Sequence, residues 1–437
     1  FGPQMSAALR GSLSDARTQG NISVQLFMDQ LRSDGRPDCT LNSPTNSAWL
    51  NHWHDYLASQ GVRFRRGTLV GFEEVDGSVQ PKVFRSVERD EGGNIVRTSK
   101  EVPTNGHYIV LALSLPAARE VAKKFVSIAG GKLPPDNDFA RTIAFGGEDL
   151  ERDLEQAAPK GPLQHLSGIQ FYFDVPIDFW RGHTQYLDSE WGLTSIAQPQ
   201  FWGRRRDQLD RCRGILSVDI GIWDREYRGK TAWQCTPDEI AAYAWEQICD
   251  HHDDAFRERY GRDRPIPSPI AYAIDANITF DRTPKKDRSP FLVNRVGAYS
   301  KRPGRLIDDG LRDDARSAPP RSKQVSYYDV HLGRYVLVGT FMKTYTRLTS
   351  MEGANESARH GVNAILRDAN AACENCEIWD PEDNEIPDFQ WLRDLDEKRF
   401  DEGKPHLIRT ATGLDPFDVH GPDIFDIMQG GRRGFSR

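Results

Sequence analysis

Tyr335-Val336-Leu337-Val338-Gly339-Thr340, a polar loop, then Thr349-Ser350-Met351-Glu352-Gly353-Ala354 and a patterned run to Leu366 form the stretch that decides the fold. The compact apolar run Tyr335–Val338 predicts a buried strand that stops at Gly339-Thr340. Thr349 followed by Glu352 fits a capping box and predicts a helix start at that point. Behind it, Ala354, Ala358, Val362, Ile365 and Leu366 recur at helical spacing and predict one apolar face. A strand, a loop and a helix opening on small residues place free backbone N–H groups and the positive end of a helix dipole at one spot. Such a spot suits a phosphate or the electron-rich edge of a ring. An ordinary strand–helix unit of an α/β fold has the same pattern, so the pattern alone does not choose between them.

Length and charge narrow the field. A chain of 437 residues holds two or three domains. With 38% hydrophobic and 28% charged residues, the composition suits a soluble globular protein. The net charge of −7 argues against a general nucleic-acid footprint. No window approaches the roughly 18 apolar residues of a membrane span, and no signal peptide is readable. The six cysteines are irregularly spaced, and Cys373-x-x-Cys376 has no second pair or nearby histidine to complete a metal site. A reduced, cytoplasmic protein is therefore expected. The sequence opens on Phe1 rather than Met, the pattern of a processed product or a fragment.

Along the chain, residues 1–40 are polar, with one amphipathic piece at Val24–Leu31. Ser43-Pro44 predicts a helix start, Trp49, Leu50, Trp53 and Leu57 its apolar face, and Gly61 its stop. Val62-Arg63-Phe64 and Leu69–Phe72 predict strands, with turns at Asp76-Gly77 and Gly92-Gly93. Tyr108–Leu113 predicts a buried strand, and Pro116 opens a helical pattern to Phe125. From about 120 to 325 the chain is rich in Trp and Arg. Its pivotal run, Gly168-Ile169-Gln170-Phe171-Tyr172-Phe173, alternates in the manner of antiparallel strands in a mixed sheet. Pro237 opens a further helix. Residues 281–324 predict a long connector whose Lys285-Lys286 and Arg302 form a solvated face. After Ala371 an acidic extension carries Trp379, Phe389 and Trp391, and the terminal 430–434 is glycine- and arginine-rich.

Several of these segments carry a resemblance. Val338-Gly339-Thr340-Phe341 followed by Glu352-Gly353-Ala354-Asn355-Glu356-Ser357-Ala358-Arg359 resembles the C-terminal flavin-binding segment of the flavin amine oxidase and phytoene desaturase superfamily. The order Gly168-Ile169-Gln170-Phe171-Tyr172, Arg181-Gly182-His183, Tyr186-Leu187-Asp188-Ser189 and Trp191-Gly192-Leu193-Thr194-Ser195 is similar to a bacterial, hydroxysqualene dehydroxylase-like branch of it. The resemblance covers residues 40–370. It implies an α/β (α+β) fold: part of an FAD-binding Rossmann-like domain over 1–119, a mixed-sheet substrate domain over 120–325, and a C-terminal FAD-binding segment over 326–372. Residues 373–437 form the acidic extension. The family strand ends in Gly followed by an acid that contacts the cofactor; here Thr340 stands in its place, with a hydroxyl still able to hydrogen-bond.

The resemblance implies FAD as cofactor, with Leu69, Gly339, Thr340, Met351, Glu352, Gly353 and Ala354 as its contacts. Lys343, Tyr345 and His183 are the candidate catalytic residues, and Gln170, Tyr186 and Trp191 the candidate substrate wall. No Gly-x-Gly-x-x-Gly occurs, although a flavoprotein of this class needs one to bring the pyrophosphate to a helix N-terminus. The chain therefore reads as the second half of a flavoprotein, with a second chain carrying that motif, from a cleaved precursor or a separate gene. The expected activity is removal of a hydride from an amine, an amino acid or an apolar carbon substrate. A non-catalytic interaction or regulatory subunit that keeps the flavoprotein fold is the competing reading. A glycan- or terpenoid-binding module on the aromatic sheet is a third.

Overall fold

A computed structural model describes residues 13–16, 18–20, 22, 40–90, 94–102, 104, 106–150, 161–177, 182–203, 212–260, 266–280, 286–288, 290–306, 328–378 and 390–404. The sequence readings at 24–31, Gly92-Gly93, Arg181, Lys285, Trp379, Phe389 and 430–434 lie outside the described residues. Helix and strand are mixed throughout. The chain divides into two units, Phe1–Trp379 and Asp380–Arg437. In the second, the described residues form one helix, Gln390–Asp401, on which Trp391 is exposed.

In the first unit a π-helical turn, Asn46–Leu50, runs into α1 (Asn51–Ser59), close to the predicted start. The predicted apolar face packs against no core. Neither piece has a buried residue, and Leu50 and Trp53 are 43% and 49% exposed. Val62-Arg63-Phe64 forms no strand. β1 (Thr68–Val75) and β2 (Ser78–Phe84) make a hairpin across Asp76 and Gly77, whose φ angles of 50° and 78° suit a two-residue turn. β3 (Val87–Arg89) and β4 (Ile95–Thr98) make a second hairpin. β5 (Ile109–Ala112) leads into α2 (Leu115–Ala129), with Pro116 in its first turn. Leu115, Ala118, Ala122, Phe125 and Ala129 are buried at helical spacing. α3 (Asp138–Ala144) is capped by Asn137, whose side chain accepts from the Ala140 N–H.

β6 (Leu163–Gln164), β7 (Ser167–Phe173), β8 (His183–Gln185), β9 (Leu193–Ile196), β10 (Gly214–Ile220), β11 (Glu226–Tyr227) and β12 (Lys230–Thr231) follow. Then come the long α4 (Pro237–Tyr260), β13 (Ala271–Ile274), β14 (Ile278–Thr279), β15 (Lys286–Asp287), β16 (Phe291–Leu292), β17 (Tyr335–Val338) and α5 (Met351–Asp368). Two hydrophobic cores result. In the first, β17 lies parallel to β5, from Tyr335↔Ile109 to Val338↔Ala112. All four β17 residues are buried, and Phe72, Phe125, Phe139 and Tyr335 stack around the strand, with Phe125–Phe139 centroids 4.1 Å apart. α5 packs on β17 at Gly361 and puts Ala364 into this core. Phe139, Phe145, Leu150, Leu163 and Leu292 also belong to it, so α2 and α3 pack with the strand pair rather than with the 167–278 sheet.

The second core lies beneath a five-stranded sheet of order β13-β7-β10-β9-β8. Every pairing in it is antiparallel, so the expected mixed sheet is corrected. Ile169, Phe171, Phe173, Leu216, Val218 and Leu193 form one cluster with Ile240, Ala244 and Ile248 of α4. Alternation turns Gly168, Gln170, Tyr172, Ser217, Asp219, Thr194, His183 and Gln185 to the opposite face. Among the described residues no helix is long and apolar enough to cross a membrane, and no group of side chains could hold a metal ion. No disulfide joins the described cysteines.

Candidate functional site

The turn after β17 is held from beneath by polar side chains. The Gly339 N–H donates to Ser357 Oγ at 2.9 Å. The Tyr345 N–H, the Thr346 N–H and the Thr346 hydroxyl donate to the Glu356 carboxylate at 2.6, 2.9 and 2.6 Å. His360 Nε2 lies 3.2 Å from the same carboxylate, and its ring stacks on Tyr328 at 4.8 Å. The Tyr328 hydroxyl, which burial keeps protonated well above the usual phenol range, donates to the Lys343 carbonyl at 2.6 Å. These contacts reverse one sequence reading. α5 buries Gly353, Glu356, Ser357, His360, Gly361, Asn363 and Ala364, whereas Ala354, Ala358 and Val362 are exposed. The buried stripe is polar because its partner is a loop full of backbone donors, and small because β17 comes close. A Cβ on Gly361 would stand 2.5 Å from Val338 Cγ1.

The capping reading is corrected by one residue. Ser350, not Thr349, is the N-cap and accepts from the Gly353 N–H at 3.3 Å; the Thr349 hydroxyl donates to the Leu292 carbonyl at 2.7 Å. Glu352 stays exposed in the first turn, where its charge complements the helix dipole. Gly353 is required by close approach, since a Cβ there would meet the Leu348 carbonyl oxygen at 2.4 Å. Gly339 has φ +152°, and a Cβ there would meet the Leu113 carbonyl oxygen at 2.6 Å. Both glycines are thus needed by the packing of the turn itself.

Arg302 also departs from its sequence reading. It is 1% exposed, not part of a solvated face. It donates to the carbonyls of Thr340 (3.0 Å) and Met342 (3.4 Å) and to Asn294 Oδ1 (3.2 Å). Asn294 in turn donates to Asp15 and Thr18 at 2.6 and 2.7 Å. Burial lowers the guanidinium to about 10, so it remains a cation at neutral pH, beneath the Gly339–Met342 turn.

The other predicted site residues fall in three places. Lys343 is buried and Tyr345 half-buried, both in the loop held by Glu356. Leu69 lies on β1 and packs against the first core beside a β-bulge. Gln170 and His183 share the outer face of the five-stranded sheet and are exposed. Tyr186 and Trp191, placed on the substrate wall by the sequence reading, are 1% and 0% exposed inside the second core. Tyr186 bonds Ser195 Oγ at 2.8 Å, and Trp191 Nε1 donates to the Arg225 carbonyl at 3.2 Å. They fill the side facing α4, away from Gln170 and His183. No described contact joins His183 to Lys343 or Tyr345.

Glu356, Ser357, His360 and Arg302 were not among the candidate site residues read from the sequence. The signal for the first three was the small and polar stripe at helical spacing through α5, opposite the apolar one. The chain matches no protein-family model, and no curated protein matches it.

Proposed function

We propose that this chain is one half of an FAD-dependent oxidoreductase, completed by a second chain that carries a Gly-x-Gly-x-x-Gly unit. The observation that carries the reading is the parallel pair β5–β17 running into Gly339, a clamped turn and a capped helix start. Parallel pairs belong to sheets covered on both faces, and two strands are few for one. In the parallel ladder, Arg334 and Val338 accept from β5, which turns the peptide groups of Leu337 the other way. Among the described residues no strand pairs with that edge, although Leu337 is buried. Met351 and Val362 are 63% and 41% exposed, a stripe on α5 for a partner to cover.

The residues fit a flavin in part. The Gly339 N–H is already spent on Ser357, leaving the Thr340 hydroxyl and the N–H groups of Met351 and Glu352 as donors for a ring edge. Arg302 adds a fixed positive charge below the turn. A bound flavin supplies hydride acceptance; the chain's own part is to orient the substrate and exclude water. The substrate is an amine, an amino acid or an apolar carbon skeleton, and the reading places the pair in the cytoplasm. Purification of the native complex tests this. Flavin absorption that bleaches with substrate, from two chains present in equal amounts, is expected. A full flavin complement on this chain alone would remove the second chain from the reading.

The subunit without catalysis is favoured by one specific observation. Thr340 stands where the resembled family carries the acid that contacts the cofactor. A colourless native complex selects this reading.

A further inference from the structure

An open cavity of about 710 Å³ lies between the end of α3 and the turn that follows β16. Leu13, Phe145, Pro162 and Ala298 give it an apolar lining, and Phe145 and Ala298 also pack in the first core. Two loops supply its charged walls. After α3, Gly146 and Gly147 take φ angles of 80° and 50°, and the loop they open carries Glu148 and Asp149. A Cβ on Gly146 would stand 2.6 Å from Leu150 Cβ, so glycine is needed to bring this loop back onto the core. On the other wall, a turn closed by the Ala298 N–H on the Arg295 carbonyl at 2.9 Å carries Arg295 and Lys301. Arg302, the residue after Lys301, is held by the Thr340 and Met342 carbonyls, which fixes this wall in place.

We infer that this cavity binds a zwitterion of the α-amino-acid class, with its ammonium toward Glu148, its carboxylate toward Lys301 and its apolar side chain on Phe145 and Pro162. The volume lies within the roughly 300–1,000 Å³ of small-molecule sites. Glu148 and Lys301 are exposed and border the same space without forming an ion pair with each other. Asp149 and Arg295 have contacts of their own and add to the sign of each wall. A ligand with one charge meets a like charge on one wall, and a neutral ligand matches neither. A zwitterion complements both walls: its ammonium donates to the carboxylate side, and its carboxylate accepts from the lysine. Exposed pairs gain little singly and are screened by salt, so the selectivity is modest and falls as ionic strength rises. None of the candidate flavin contacts lines this cavity, so the inference is independent of the flavin reading.

Ligand-observed NMR on the full chain tests it, using L-phenylalanine, N-acetyl-L-phenylalanine and L-phenylalaninamide as probes. The three share one side chain and differ only in the charges they carry. Phenylalanine is expected to bind at least about threefold more tightly than either derivative, with a margin that shrinks at about 1 M salt. Lys301→Met is expected to weaken binding of phenylalanine and the N-acetyl derivative and to leave the amide no weaker. Glu148→Gln is expected to weaken binding of phenylalanine and the amide and to leave the N-acetyl derivative no weaker. Both side chains are exposed, so neither substitution disturbs the core. Equal binding of the three probes, binding of none, or substitutions that weaken all three alike would each overturn the assignment.

Discussion

Glu356 shows how one buried carboxylate is held by fixed donors, with His360 Nε2 beside it. It accepts from two backbone N–H groups and one hydroxyl, so its charge is spread over fixed donors. Replacing it by Gln keeps the shape but puts an NH₂ where an acceptor is needed. Glu356→Gln is expected to lose about 2 kcal/mol of stability, read from the urea midpoint at constant slope. Asp219 is the opposite case, exposed at the sheet face yet raised by desolvation from the strands around it, and unsupported by donors. The folded chain holds that proton more tightly than the unfolded one. Ionisation therefore costs stability as pH rises past the ordinary value of 3.8. Asp219→Asn removes that cost. It is expected to melt above the wild type at pH 8 and level with it at pH 3; the reverse order would contradict the sign.

At the scale of the element, α5 presents two faces with different duties. Its small and polar face clamps the loop and lies against β17, where Gly361 admits Val336 and Val338. Val338 is a stiff, β-branched core residue that cannot swing away. Gly361→Val is therefore expected to cost about 1–3 kcal/mol through overpacking, seen as a lowered melting temperature. The other face carries Ala354, Ala358 and Val362 into solvent in the isolated chain. There, Val362→Ser is expected to change stability by less than about 0.5 kcal/mol, measured in the same way, while weakening co-purification of a second chain.

For the molecule as a whole, the open edge of β17, the apolar stripe of α5 and the unpacked α1 are features that a partner would cover. The amide of Leu337 reports on it. Hydrogen exchange at that amide is expected to slow by about a hundredfold or more when the native partner is present, because a strand on the free edge supplies the missing acceptor. Equal exchange with and without the partner would show that the edge stays unpaired.

Much of the element order was legible by itself. The apolar runs at Tyr335–Val338 and Ile109–Ala112, the Asp76-Gly77 turn, the Pro116 and Pro237 helix starts and the alternation of Gly168–Phe173 all follow from local chemistry and period. What lay on each face did not. Only the fold could decide that α5 turns its polar stripe inward, because the period marks two stripes and the neighbour chooses between them. Arg302 reads as a surface charge until a loop wraps it. Trp191 and Gln170, close in one aromatic run, part company because successive strand positions and a folded-back turn send them to opposite sides of one sheet. Sequence determines what a segment can become at short range; long-range contact determines which of its atoms are left in reach of a ligand.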